Sequence, residues 1–98
     1  MIYVDDLVEY LRDQIKPGAR KYGTRWAHMT ADTKEELHEF AETLGLKRSY
    51  FQNHPRLWHY DLTPAKWKKA IKLGATHYST LQMAREVWCK RVMECQTK

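Results

Sequence analysis

Apolar positions along the chain fall into short blocks separated by sharp punctuation. Ile2-Tyr3-Val4 is an apolar run ended by Asp5-Asp6, the pattern of a buried strand. Val8, Leu11 and Ile15 then recur at roughly helical spacing until Pro17-Gly18 interrupts them, inside a basic, glycine-containing loop from Lys16 to Gly23. A second strand is expected from Arg25 to Met29. Thr33 and Glu36 form a capping-box pair ahead of Leu37, Phe40, Ala41 and Leu44, whose spacing places them on one face of a helix that Gly45 stops. The segment Tyr50 to Leu62 is rich in aromatics and has no period, so it reads as a short strand with a long loop or as a wall of a site. Thr63-Pro64 supplies a cap and a first-turn proline for another helix, which Gly74 closes. Ala75 to Ser79 is a further strand. Thr80 is expected to cap a last helix with the apolar stripe Leu81, Ala84, Trp88, Val92 and Cys95.

Strands alternating with helices predict one small α/β domain over residues 1–98, a short sheet of about three strands with roughly three to four helices packed on it. A chain of 98 residues supports one core and one site. Its hydrophobic fraction of 43% is that of a globular protein, and no apolar run approaches the ~20 residues that cross a bilayer, so no membrane partner is expected. Met1 leads directly into the first strand, which argues against a signal peptide. Cys89 and Cys95 lack the paired spacing of a zinc or redox motif, and a reducing cytoplasm is the natural compartment. The net charge of +5 favours an anionic partner such as a nucleotide or nucleic acid. A domain this small also gains stability readily by pairing, so a homodimer is an open expectation.

The chemistry is concentrated between Trp26 and Asp61, which hold four of the five histidines. His59 and Asp61 project to one side if the tripeptide is extended, because side chains alternate along a strand. His28, His59 and Asp61, with Asp5 or Asp32 as a fourth donor, would suffice for a divalent metal if the strand ends meet. No protein cofactor is otherwise expected. The competing structural reading has His28 and His59 hydrogen-bonded to Asp61 or to backbone, tying the elements together. His38 borders the apolar face of its helix and reads as a packed histidine with one hydrogen-bonded nitrogen. Arg25 and Arg48 lie beside aromatics, a combination suited to phosphates and bases together. The expected ligand-binding set is therefore Arg25, Trp26, His28, Arg48, Gln52, His59, Tyr60 and Asp61.

These residues also occur in a recognisable order. Val4-Asp5-Asp6, Trp26 through Thr33, Glu35 through Ala41, Leu44-Gly45, Phe51-Gln52, His59-Tyr60-Asp61, Ala70-Ile71 and Gly74-Ala75 together resemble domain-of-unknown-function family 4031. The likeness covers residues 2 to about 80. The resemblance implies a bacterial or phage protein whose last helix, residues 81–95, is variable, with a longer Val8 to Lys21 insertion here. It implies no mechanism. Three functions stay open: a non-catalytic module binding a phosphate-bearing ligand in a His/Asp/aromatic pocket, which uses the most features; a small metal-dependent phosphoester hydrolase; and an accessory protein acting through protein–protein contact.

Overall fold

The computed structural model describes residues 1–96, with side chains through Met93. Its strands are β1 (Ile2–Val4), β2 (Val8–Glu9), β3 (Arg25–Ala31), β4 (Phe51–Gln52), β5 (His59–Leu62) and β6 (Thr76–His77). They form one mixed sheet in the order β4-β5-β3-β1-β6, with β2 added to β3. Only β1 and β6 run parallel. The α/β class is as expected, but the sheet has six strands where three were expected. The expected strands are β1, β3 and β6; of the other three, β2 and β4 are two residues each, too short to show the alternation that identifies a strand, and β5 lies in the aromatic Tyr50 to Leu62 segment, which as a whole has no period.

The first disagreement lies between Val8 and Ile15, where the apolar spacing suggests a helix. Val8 and Glu9 instead pair with Trp26 and Arg25, and a single 3-10 turn follows at Arg12–Gln14. Leu11 is exposed and Ile15 buried, so only one of the three apolar residues reaches an interior. A second 3-10 segment, Pro17–Tyr22, brings the chain back to β3.

Helix α1 (Lys34–Thr43) begins where Thr33 Oγ1 accepts the backbone N–H of Glu36. Helix α2 (Pro64–Lys72) begins in the same way, Thr63 Oγ1 accepting from Lys66, with Pro64 in the first turn. Both end in Schellman turns. Gly45 and Gly74 take φ of +79° and +110°, and the following residues Leu46 and Ala75 donate back to Ala41 and Ala70. Any other residue would be strained at these two positions.

Alternation along the strands divides the sheet into two faces. Val4, Ala27, Met29, Ala31, Tyr60 and Leu62 are buried on one, and Leu37, Ala41, Leu44 and Ala70 of α1 and α2 complete most of this core. Trp26, His28, Thr30, His59 and Asp61 have the opposite parity. Over that second face lies the C-terminal helical stretch, α3 (Thr80–Met83), a π-helical segment at Ala84–Trp88, and α4 (Cys89–Gln96). Its N-cap is Ser79, one residue before the expected Thr80. Its buried side chains are Met83 and Val87, while Leu81 and Val92 are exposed. The displacement is already present at Leu81 and Met83, ahead of the π segment, so it begins with the angle at which the helix starts after its Ser79 cap. Cys95 of the expected stripe lies outside the described side chains.

Candidate metal centre

The pairing of β3 with β5 sets His28 directly opposite Asp61, and alternation within β5 puts His59 on the same face. The His28 and His59 rings meet edge to face with centroids 4.8 Å apart. One donor atom from each of His28, His59 and Asp61 lies within 4.8 Å of the other two. Three donors 2.0–2.2 Å from one ion in tetrahedral geometry lie about 3.3–3.6 Å apart. Closing the set from the 4.8 Å limit therefore takes combined side-chain movements of about an ångström, for which half-exposed Asp61 and partly exposed His28 have room.

What orients the rings decides which nitrogens face the centre. Asp5, buried just past the end of β1, accepts the backbone N–H of His28 on Oδ1 at 2.6 Å and faces His28 Nδ1 with Oδ2 at 2.8 Å. His59 Nδ1 lies 2.6 Å from the carbonyl oxygen of Leu57. A carboxylate and a carbonyl only accept, so each Nδ1 carries the proton, and each Nε2 of a neutral ring is a lone pair. His59 Nε2 sits 3.2 Å from Asp61 Oδ1. Two acceptors at that distance repel unless something positive, a proton or a cation, lies between them. Histidines anchored through Nδ1–H to a carboxylate or a backbone carbonyl, with Nε2 left open, are the usual arrangement of imidazole metal ligands.

Electrostatics follow from the same contacts. The hydrogen bond to Asp5 raises the pKa of His28 above its ordinary 6.5, against burial, which lowers it. Burial alone would push Asp61 up, but a proton on His59 Nε2, through its hydrogen bond and charge, together with the charges of His28 and Lys16, outweighs it and holds the carboxyl below 3.8, and a cation in the place of that proton acts in the same direction. The centre therefore keeps a carboxylate available at any pH near neutrality.

The remaining expected residues divide between this site and elsewhere. Gln52 pairs with His59 across β4 and β5 and so shares its face. Trp26 has the parity of His28 but turns back on its own loop, its ring against Tyr22 and its Nε1 donating to Gly23. Tyr60 is not part of the site. Its position between His59 and Asp61 sends it through the sheet to the core, where its hydroxyl meets His38 Nδ1 at 2.9 Å beside Phe51. Arg25 has the parity opposite to His28 and stands across from Glu9. Arg48 lines a separate hollow of about 380 Å³ with Lys34, Glu35, His38, Glu39 and Glu42. Its charge, after burial, helps to lower the pKa of His38. Of the two suggested fourth donors, Asp5 is the partner of His28, and Asp32 instead accepts a 2.8 Å hydrogen bond from Tyr3.

Three neighbours escaped the sequence reading. His54 stacks nearly parallel on His59 at 5.7 Å, and Trp88 meets His59 edge-on at 6.4 Å. Arg91 lies 3.8 Å over the Trp58 ring and also donates to Thr30, so it ties α4 to the site face. Trp88 and Arg91 straddle the end of the π segment, whose register no apolar count reveals; a π turn beside a polar cluster is a common companion of function.

The family model described as "Protein of unknown function (DUF4031)" matches residues 2–90. The chain belongs to this family. The DUF4031 match takes in Asp5, His28, His59 and Asp61, and it extends through Trp88 beyond the Thr80 limit inferred from the sequence. No curated protein and no solved structure matches the chain. Among the described residues no helix is long and apolar enough to cross a membrane.

Proposed function

We propose that this domain binds one divalent metal ion through His28, His59 and Asp61 and hydrolyses a phosphate ester. The observation that carries the reading is the double Nδ1 anchoring, by Asp5 and by the Leu57 carbonyl, which leaves two Nε2 lone pairs and a carboxylate facing one point. Two imidazoles and one carboxylate leave coordination positions open for water and substrate, and imidazole donors suit zinc, iron or other transition ions better than magnesium or calcium. An ion held by His28, His59 and Asp61 would supply a Lewis acid for a phosphoryl oxygen and would acidify a water toward neutrality. The water oxygen forms the new bond to phosphorus, the ester P–O bond breaks, and the leaving oxygen takes up a proton. The chain's part is to hold both rings by their far nitrogens, keep Asp61 ionised, and draw an anion with its net charge of +5.

The test is hydrolysis of bis(p-nitrophenyl) phosphate by protein prepared without a metal-affinity step, with Zn²⁺ or Mn²⁺ added. Activity should vanish with chelator and in His59→Ala and Asp61→Asn, and should persist in Arg25→Ala and Arg48→Ala. A protein that binds phosphate-bearing ligands under these conditions and turns none over would instead support the non-catalytic binding module. Turnover unaffected by chelator would overturn the metal-dependent reading.

A further inference from the structure

The excursion between β2 and β3 builds a hollow of about 440 Å³ lined by Arg12, Pro17, Arg20, Lys21 and Thr24, three cations and no carboxylate. Its walls are fixed rather than loose. Arg20 Nε donates to the carbonyls of Arg12 and Ile15, Ile15 is buried beneath, and Tyr10 N–H bonds the Thr24 carbonyl where the excursion closes. Glu9 accepts from the Thr24 hydroxyl at 3.0 Å, and Asp13 follows Arg12 along the chain without lining the hollow. Arg12 and Lys21 are exposed, Lys21 Nζ standing 5.1 Å over the Tyr22 ring, so their charges meet an incoming anion at the rim while Arg20 keeps the cavity in shape. Guanidinium groups and a lysine together suit phosphate oxygens. Thr24 precedes His28 by four residues on the approach to β3, roughly 13 Å at the rise of a strand.

We infer that this hollow is an anion subsite that takes a second phosphate group of the ligand, at the start of the strand whose middle carries His28 of the metal centre. The second clause rests on the metal-centre reading; the binding of phosphate in the hollow does not. The substrate class is therefore a phosphate ester with at least two separated phosphates, rather than a simple monoester.

The probe is pyrophosphate, titrated calorimetrically in the presence of chelator so that no metal contributes. Wild type should bind it, with affinity falling as salt rises, and Arg12→Gln or Lys21→Gln should each weaken binding about tenfold or more, the loss expected for a charge-assisted hydrogen bond. Arg20 is left intact because it holds the walls. His59→Ala should bind as wild type does. Absence of pyrophosphate binding in wild type, wild-type affinity in both hollow variants, or loss of binding in His59→Ala would overturn the subsite. A protein that retains no metal but passes this titration defeats the metal reading and leaves the subsite standing.

Discussion

Asp5→Asn changes one atom and should damage the metal centre without touching a proposed ligand. The asparagine oxygen can still accept the His28 backbone N–H, now held at 2.6 Å by Oδ1, so β1 and β3 stay joined. The group 2.8 Å from His28 Nδ1 becomes an N–H donor instead of a carboxylate oxygen. Nδ1 must then accept, the ring proton moves to Nε2, and the lone pair that faced the site is gone. Removing an outer partner of this kind costs about 10–100-fold in metal affinity, or roughly 1.4–2.7 kcal/mol. A second signature appears in stability. The folded-state pKa of His28 is raised above 6.5, so its contribution is full below that value and fades as pH rises through the folded pKa. The wild-type advantage over Asp5→Asn in urea should therefore be larger near pH 5.5 than near pH 8.5, reaching on the order of 1.5–3 kcal/mol for a charge-assisted bond. The assays are Zn²⁺ competition against a chromophoric chelator and paired denaturation curves. Wild-type zinc affinity in the variant, with its fold intact, would refute the anchoring argument.

Three further expectations are independent of one another. Metal affinity in the wild type should rise with pH through the raised pKa of His28, because Nε2 must lose its proton before it can bind; competition titrations across that range check this, and a flat profile contradicts it. Tyr60→Phe should cost about 0.5–1.5 kcal/mol in urea denaturation by removing the bond to His38, and should leave metal affinity unchanged, since the hydroxyl lies across the sheet from the site. Thr63→Ala should cost on the order of 1 kcal/mol through the lost cap of α2, and an unchanged midpoint and slope would show that the cap contributes nothing.

Much of the site could be read from local alternation and much of the fold from local caps. Thr33, Thr63, Gly45 and Gly74 act on residues three to five positions away, so their meaning is carried in the sequence itself. His59 and Asp61 share a face for the same local reason, and that reason also excludes Tyr60, which the sequence reading had grouped with them. The role of Asp5 is non-local. It depends on β1 pairing with β3, which no periodicity in either strand announces. Arg25 and Arg48 have the chemistry of phosphate contacts beside aromatics, but the fold directs one across from Glu9 and the other to a hollow along α1. The Val8 to Ile15 spacing imitates a helix because two-residue strands and 3-10 turns leave apolar residues at the same intervals. In the last helix the buried face runs through Met83 and Val87 rather than Leu81 and Ala84, a rotation set by how the helix packs and already present before the π segment, which no count along the sequence announces.

The central claim is that both histidines bind a metal through Nε2 while Nδ1 keeps its proton. Long-range ¹H–¹⁵N correlation of the imidazoles, recorded on the full chain before and after one equivalent of Zn²⁺, reads those nitrogens directly. The account predicts that Nε2 of His28 and of His59 shift together, that both Nδ1 sites stay protonated, and that His54 and His77 keep their unbound pattern. Zinc that moves Nδ1 of either ring, collects on His54 or His77, or leaves all the imidazoles unchanged would contradict it.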